Sequence, residues 1–248
     1  MHKFFVPEDK FYDGFAVIEG DDVKHIYKVL RLGIGEKISI NNCNGNEFLG
    51  EIVEVNKREV KVNIMKELPL NNESTIGVFL FQGLPKSSKM DLIIQKTTEL
   101  GIKAINPVSM KRVVANGTKD MKLERWNRIA LEACKQSKRS LIPVVNKLCT
   151  FEEMISQLKN MDLVVVPYEN KKGYGLKRLF NKIDKMNIKN IAIVIGPEGG
   201  FEDYEINILE SIGAEIVTLG PRILRTETAG FTALSIIMYE IGDLGGNM

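Results

Sequence analysis

Residues 191–201 read Ile-Ala-Ile-Val-Ile-Gly-Pro-Glu-Gly-Gly-Phe. An apolar run of five residues stops abruptly at Gly196-Pro197 and is followed by Gly199-Gly200. A short continuous apolar run bounded by turn residues is the pattern of a strand covered on both faces. The same pattern recurs at Leu163–Pro167 (LVVVP) and, more loosely, at Ile76–Gln82, Ala104–Val108 and Glu215–Leu219. Between these runs lie segments with helical spacing. Ser87 or Ser88 can cap a helix through Leu100, with Met90, Ile93, Ile94, Thr97 and Leu100 on one stripe and Gly101 as the stop. Lys122–Arg139 is a second helix, with Trp126, Ile129, Ala130, Ala133 and Cys134 inward and Arg125, Arg128, Lys135 and Arg139 on the other face. Glu202–Ile212 and Thr228–Ile241 are a third and a fourth, with Thr226 or Thr228 as cap of the last. Alternating strands and helices predict an α/β domain built on a parallel sheet.

The first 65 residues differ. Phe4–Val6, Phe15–Ile18, Lys37–Ile40, Phe48–Val55 and Glu59–Met65 are short, β-branched or aromatic runs separated by Asp13-Gly14, Gly33/Gly35, Asn44-Gly45 and Asn56-Lys57. They predict a small barrel-like array of strands. One helix is expected at Asp21–Leu30, capped by Asp21 or Asp22, with Val23, Ile26, Tyr27 and Leu30 inward. The polar stretch Leu68–Thr75 reads as a linker, so the domains are expected at 1–70 and 76–248.

Composition narrows the classes. The 248 residues are 44% hydrophobic and 27% charged, which excludes disorder and collagen. No stretch reaches the roughly 20 apolar residues that span a bilayer, and the N-terminus lacks the apolar core of a signal peptide. Three Cys and two His are too few for a disulfide framework or a His-rich metal site. A cytoplasmic, metal-free protein is expected. The net charge of +2 hides an asymmetry: residues 82–139 hold 13 basic and 5 acidic side chains, and residues 191–248 hold 2 and 9. A basic block of that kind fits a polyanion partner.

Two loops leave the carboxyl ends of expected strands: Gly196–Phe201 and Leu219–Thr228 (LGPRILRTET). Ligands of open parallel sheets sit in that crevice, and glycine lets a ligand approach the backbone. Neither loop is a dinucleotide or Walker A fingerprint. Arg222 and Arg225 are the only basic residues of their 58-residue acidic stretch, so each should serve a dedicated partner. The alternative is that Arg225 pairs with Glu227 or Glu240.

GPEGGF, LGPRILRTETA and the upstream KMDLIIQKTTELGI, in that order, closely resemble the RsmE family. These are uracil-N3 methyltransferases of small-subunit ribosomal RNA, of the SPOUT class. HKFFV, HIYKVLRLGIGEKI and RWNRIALEACKQSKRSLIP extend the resemblance over most of the chain. The resemblance implies a PUA-like N-terminal barrel that binds RNA, and a trefoil-knotted SPOUT domain that binds S-adenosylmethionine. It also implies a homodimer whose substrate is 16S rRNA in the assembled small subunit. Carried over, the cofactor-binding residues are Pro167, Glu169, Gly196, Glu198, Gly199, Leu219, Gly220, Ile223, Leu224, Arg225 and Thr226, with Tyr168 beside them. Loss of the N3 proton leaves charge on the uracil oxygens, which a cation can stabilise. Arg225 is the first catalytic candidate and Arg31 the second. No His lies in GPEGGF, LGPRILRTETA or KMDLIIQKTTELGI, so a carboxylate or water is to be considered as the proton acceptor. The target base must also be unstacked. RNA phosphates are expected on Lys86, Lys89, Lys96, Arg112, Lys135 and Arg139, with Lys3, His25 and Arg31 contributing from the barrel. Lys3 stands where the family usually has Arg, and Gly230 where it usually has Ala. The alternatives are another SPOUT RNA methyltransferase, acting on tRNA or a ribose hydroxyl, and a non-catalytic RNA-binding assembly factor.

Overall fold

A seven-stranded, wholly parallel sheet organises the C-terminal part of the protein. Its path is β10 (Cys149–Thr150), β8 (Ala104–Ser109), β7 (Gly77–Gly83), β12 (Asn190–Ile195), β11 (Leu163–Pro167) and β13 (Glu215–Val217), and β9 (Val144–Val145) pairs with β8 off that path. The computed structural model describes residues 1–69, 72–86, 89–113 and 119–246, with backbone alone for 119–122. The expected caps Ser87 and Ser88 and part of the expected linker lie outside the described residues.

The central strands are buried on both faces because they have nothing polar to show to water. Every residue of β11 is buried, as are Ile191–Ile195 of β12. Alternation along the strands divides them. Phe81, Val164, Val166, Ala192 and Val194 pack with Phe151, Met154 and Leu158 of α4 (Phe151–Leu158) and Ile206 and Leu209 of α6 (Asp203–Ser211). The opposite face is covered by α7 (Thr226–Ile241), which packs on α2 (Lys89–Glu99), β7 and β12. The α4 start carries a Thr cap with a reciprocal Glu: Thr150 Oγ1 accepts from Glu153 N, and Glu153 accepts from Thr150 N.

In the N-terminal part, six strands form one curled sheet in the order β1 (Lys3–Phe5), β4 (Lys37–Asn41), β5 (Glu47–Val55), β6 (Glu59–Leu68), β3 (Phe15–Glu19) and β2 (Phe11–Tyr12). Only β1–β4 is parallel. Val6, Ile18, Ile38, Ile40, Ile52, Val60 and Val62 form its core.

Local expectations failed in two places, each for a physical reason. The helix at 21–30 is a turn of α1 (Asp21–Lys24) that widens into a π-helix (His25–Leu30). The wider turn rotates the face, so Tyr27 is exposed while Val23 and Ile26 are buried. Its N-cap is Gly20, at φ 74°, rather than Asp21 or Asp22. The last helix begins at Thr226 with Arg225 as N-cap, and the Thr226 hydroxyl is used elsewhere. In space the chain forms two compact units, a first of 1–73 with 134–142, and a second of 74–133 with 143–248. The end of α3 (Lys119–Ser137) and the turn after it therefore belong with the strands of the first unit. Glu73 holds them there, accepting from Arg139 Nη2 at 2.7 Å, Ser140 N at 2.7 Å and Leu141 N at 2.9 Å. Asn41 Nδ2 donates to Ser140 O at 2.8 Å, and Lys3 Nζ pairs with Glu47 at 2.6 Å while donating to Ser140 Oγ.

Candidate active site

Beyond the carboxyl ends of β11, β12 and β13, three loops converge on one concavity in the second unit. A cavity of about 330 Å³ is lined by Lys89, Pro167, Glu169, Gly196, Glu198, Gly200, Phe201, Leu224, Arg225 and Thr226, among others. A smaller one, of about 90 Å³, runs along Pro167–Glu169 and Thr218–Leu224 and shares Pro167, Glu169, Ile223, Leu224 and Ala229 with the first. Every residue assigned to cofactor binding lines one or both cavities except Gly199, which sits in the same loop.

The Gly196–Phe201 loop is pinned at both ends. Phe201 is buried in the core and meets Tyr168 edge to face, with centroids 6.3 Å apart. Gly200 N closes a turn onto Pro197 O at 2.9 Å, and Gly200 holds φ +72°, a left-handed conformation that a side chain resists. A Cβ there would also lie 2.8 Å from Glu169 Oε1. Arg112 clamps the loop from the side. It grips Glu202 through Nε at 2.9 Å and Nη2 at 3.1 Å, and donates Nη1 to Gly199 O at 3.0 Å. The guanidinium holds the Glu202 carboxyl below the ordinary carboxylate range. Arg112 was expected on RNA; the structure places it against this loop.

Glu198 is bound from the other side. Lys86 N donates to its Oε1 at 3.0 Å, and Lys89 Nζ lies 3.1 Å away. Burial pushes the Glu198 carboxyl up, but the Lys86 N–H, its own N–H and the Lys89 ammonium outweigh that and leave it low. Lys89 also faces Glu227 at 3.6 Å, and Glu227 Oε2 is buried without a hydrogen bond. Glu240 pairs with Lys185 at 2.6 Å. The expected alternative partners of Arg225 are thus engaged elsewhere. Arg225 is exposed at the start of α7 and lines the cavity, and its guanidinium has no hydrogen-bond or ion-pair partner among the described residues.

The other predicted cations divide sharply. Lys3 is paired with Glu47, Lys96 with Glu99 at 2.8 Å, Lys135 with Asp22 at 3.0 Å, and Arg139 with Glu73 at 2.7 Å, where Arg139 is only 5% exposed. The Lys86 side chain is exposed, and so is Arg31, which ends the π-helix at φ 54°. Arg31 lies in the first unit and Arg225 in the second. Among the described residues no group of three His, Cys, Asp or Glu could hold a metal, and no helix is long and apolar enough to cross a membrane.

Sequence reasoning missed Gln82, which lies under both loops at the end of β7; its one signal is a polar letter closing an apolar strand.

Comparison with known proteins agrees with this geometry. Residues 72–238 match the RNA methyltransferase domain family, and residues 18–65 the RNA methyltransferase PUA domain family. Ribosomal RNA small subunit methyltransferase E of Bacillus subtilis is 37% identical over 235 residues, covering 93% of this chain and 92% of that protein. The protein of the same name from Mesomycoplasma hyopneumoniae is 33% identical, covering 95% and 98%. The crystal structure of a ribosomal RNA small subunit methyltransferase E from Neisseria gonorrhoeae bound to S-adenosyl methionine superposes with a TM-score of 0.84 at 30% identity, covering 98% of this chain and 99% of that one. With a glycine-walled crevice at the strand ends, both domain families in order and full-length identity at this level, the chain belongs to the ribosomal RNA small subunit methyltransferase E family.

Proposed function

We propose that this protein transfers a methyl group from S-adenosylmethionine to N3 of a uracil in 16S rRNA of the small ribosomal subunit. The observation that carries the proposal is the crevice itself. Pro167–Glu169, Gly196–Phe201 and Leu219–Thr226 converge on one volume, in a chain similar over its length to a methyltransferase bound to this cofactor. The residues present fit the group. Ligand pockets run from about 300 Å³ upward, and the cavity of about 330 Å³ is walled by the backbone of Gly196 and Gly200 beside the carboxylates of Glu169 and Glu198.

When bound, S-adenosylmethionine supplies an electrophilic methyl on a sulfonium. The chain's own groups do the rest. Backbone of Leu219, Gly220 and Leu224 recognises the adenine. Glu198, fixed by Lys86 and Lys89, holds the glycine loop. The free guanidinium of Arg225 stands at the cavity wall, where it stabilises charge developing on a uracil oxygen as N3 loses its proton. Glu169 lines both cavities and has no cationic partner among the described residues, so it is a carboxylate able to take that proton.

Phosphate contacts fall first to Arg31 and Lys86, the two cations of the predicted RNA set not paired with a carboxylate among the described residues. The trefoil knot, the homodimer and a cytoplasmic location belong to the same reading. Ile223, 87% exposed at the cavity rim, and Tyr239, 68% exposed on α7, support a second copy covering this face.

The test is incubation with labelled S-adenosylmethionine and undermethylated small subunits, with the product mapped by mass spectrometry. Methyl on uracil N3 is expected. Methyl on a ribose oxygen, or none, overturns the proposal.

A further inference from the structure

Gln82 is fully buried at the end of β7, opposite Ile195 in the sheet register. Its Nε2 donates to Thr226 Oγ1 at 2.8 Å and to Gly83 O at 3.0 Å. Those two acceptors fix the orientation of the amide. Exchanging its oxygen and nitrogen would set two carbonyl oxygens against each other with no proton between them. Thr226 Oγ1 accepts from Gln82, so its single proton goes to Gly196 O, 2.6 Å away. Gly83, the next residue, approaches the Gly196-Pro197 peptide so closely that a Cβ would sit 2.5 Å from Pro197 N.

The Thr226 hydroxyl therefore ties together the two loops that wall the cavity, since Gly196 opens the first and Thr226 closes the second, and Gln82 orients that hydroxyl. The tie is costly as packing. Gln82 Oε1 is buried with no hydrogen-bond partner, beneath Gly230, whose missing Cβ would be 3.7 Å away. An unsatisfied buried acceptor destabilises a fold, and an apolar residue of similar size would not carry that cost. Local rules broken in this way mark functional sites.

We propose that Gln82 is a positioning residue. Through the Thr226 hydroxyl it holds the 196–201 and 219–226 loops in register to receive the cofactor, without touching the cofactor itself. The inference deepens the cofactor-site reading above and rests on it. The test uses the full chain with Gln82→Leu, Thr226→Val, their combination, and Thr226→Ser. Calorimetry measures S-adenosylmethionine affinity, and amide hydrogen exchange without cofactor measures each loop.

Gln82→Leu and Thr226→Val are each expected to weaken binding roughly 10-fold, the size of one hydrogen bond, and to speed exchange in both loops. The double variant should be no weaker than the worse single, because both changes cut one chain of bonds. Thr226→Ser keeps the hydroxyl and should keep exchange slow. Unchanged exchange in either loop of Gln82→Leu, or losses that simply add in the double variant, would overturn the proposal. Should Gln82→Leu fail to fold, Thr226→Val and Thr226→Ser read the same bridge, and equal exchange in those two overturns it. A wild-type protein that binds no S-adenosylmethionine removes the cofactor reading, while the exchange result still decides whether Gln82 couples the loops.

Discussion

The cation-rich segment 82–139 and the acid-rich segment 191–248 look like opposites, and in the fold they answer each other. Lys89 meets Glu198 and Glu227, Arg112 meets Glu202, and Lys111 N donates to Glu205 at 3.1 Å. The segment with the basic excess has most of its predicted phosphate ligands neutralised by carboxylates. The acidic segment keeps its own two arginines, Arg222 and Arg225, exposed at the cavity, and neither has such a partner among the described residues. Charge counted along a chain therefore says little about which charges are available. An ion pair within bonding distance removes most of a cation's reach in water, where screening acts over about 8 Å at physiological salt.

Three substitutions test that contrast. The largest effect is expected from Arg225→Ala. Loss of a group that stabilises developing charge costs about 10²–10³ in kcat, and thermal unfolding should stay unchanged, because the side chain is exposed and unpaired. A stability loss with normal turnover would place Arg225 among the structural cations. Next is Glu73→Ala, which removes the carboxylate paired with the buried Arg139, its side chain 6% exposed, and bound by Ser140 N and Leu141 N. Breaking a buried pair from one side costs about 3–5 kcal/mol, so chemical denaturation should show the loss. The smallest is Lys96→Ala. Its i,i+3 pair with Glu99 is 42% exposed on the lysine side, and such pairs contribute about 0.5 kcal/mol or less. Subunit binding should change less than about 2-fold if a paired lysine adds little to the phosphate contacts. A strong loss of subunit binding would return Lys96 to the RNA surface.

The sheet strands were legible because a buried strand must be apolar throughout, as at 163–167 and 191–195. The cavity loops were legible because glycines mark sharp turns at strand ends, and Gly200 and Gly220 hold the positive φ that other residues resist. Features that depend on distant partners were not. Nothing near Arg139 in the chain announces Glu73, and nothing near Arg112 announces Glu202, so both read as solvent-facing cations. The π-turn at 25–30 has the same composition as an ordinary helix, and only the widened hydrogen bonding shows why Tyr27 faces out. Gln82 was invisible for the same reason. Its role is set by Thr226 and Gly196, which lie far along the chain.

The Glu73 clasp on residues 139–141 has a consequence for how the chain can fold as it is made. The first unit is not contiguous, since residues 74–133 intervene before its last piece arrives. During N-terminal-first synthesis its strands can pair as soon as residue 68 is out, yet the carboxylate of Glu73 and the amide of Asn41 find their partners only after residue 141 has emerged. Until then the curled sheet exists with an open seam, and its completion waits on α3. The N-terminal part of this protein should therefore gain its full resistance to proteolysis late, after a good part of the second unit has been synthesised.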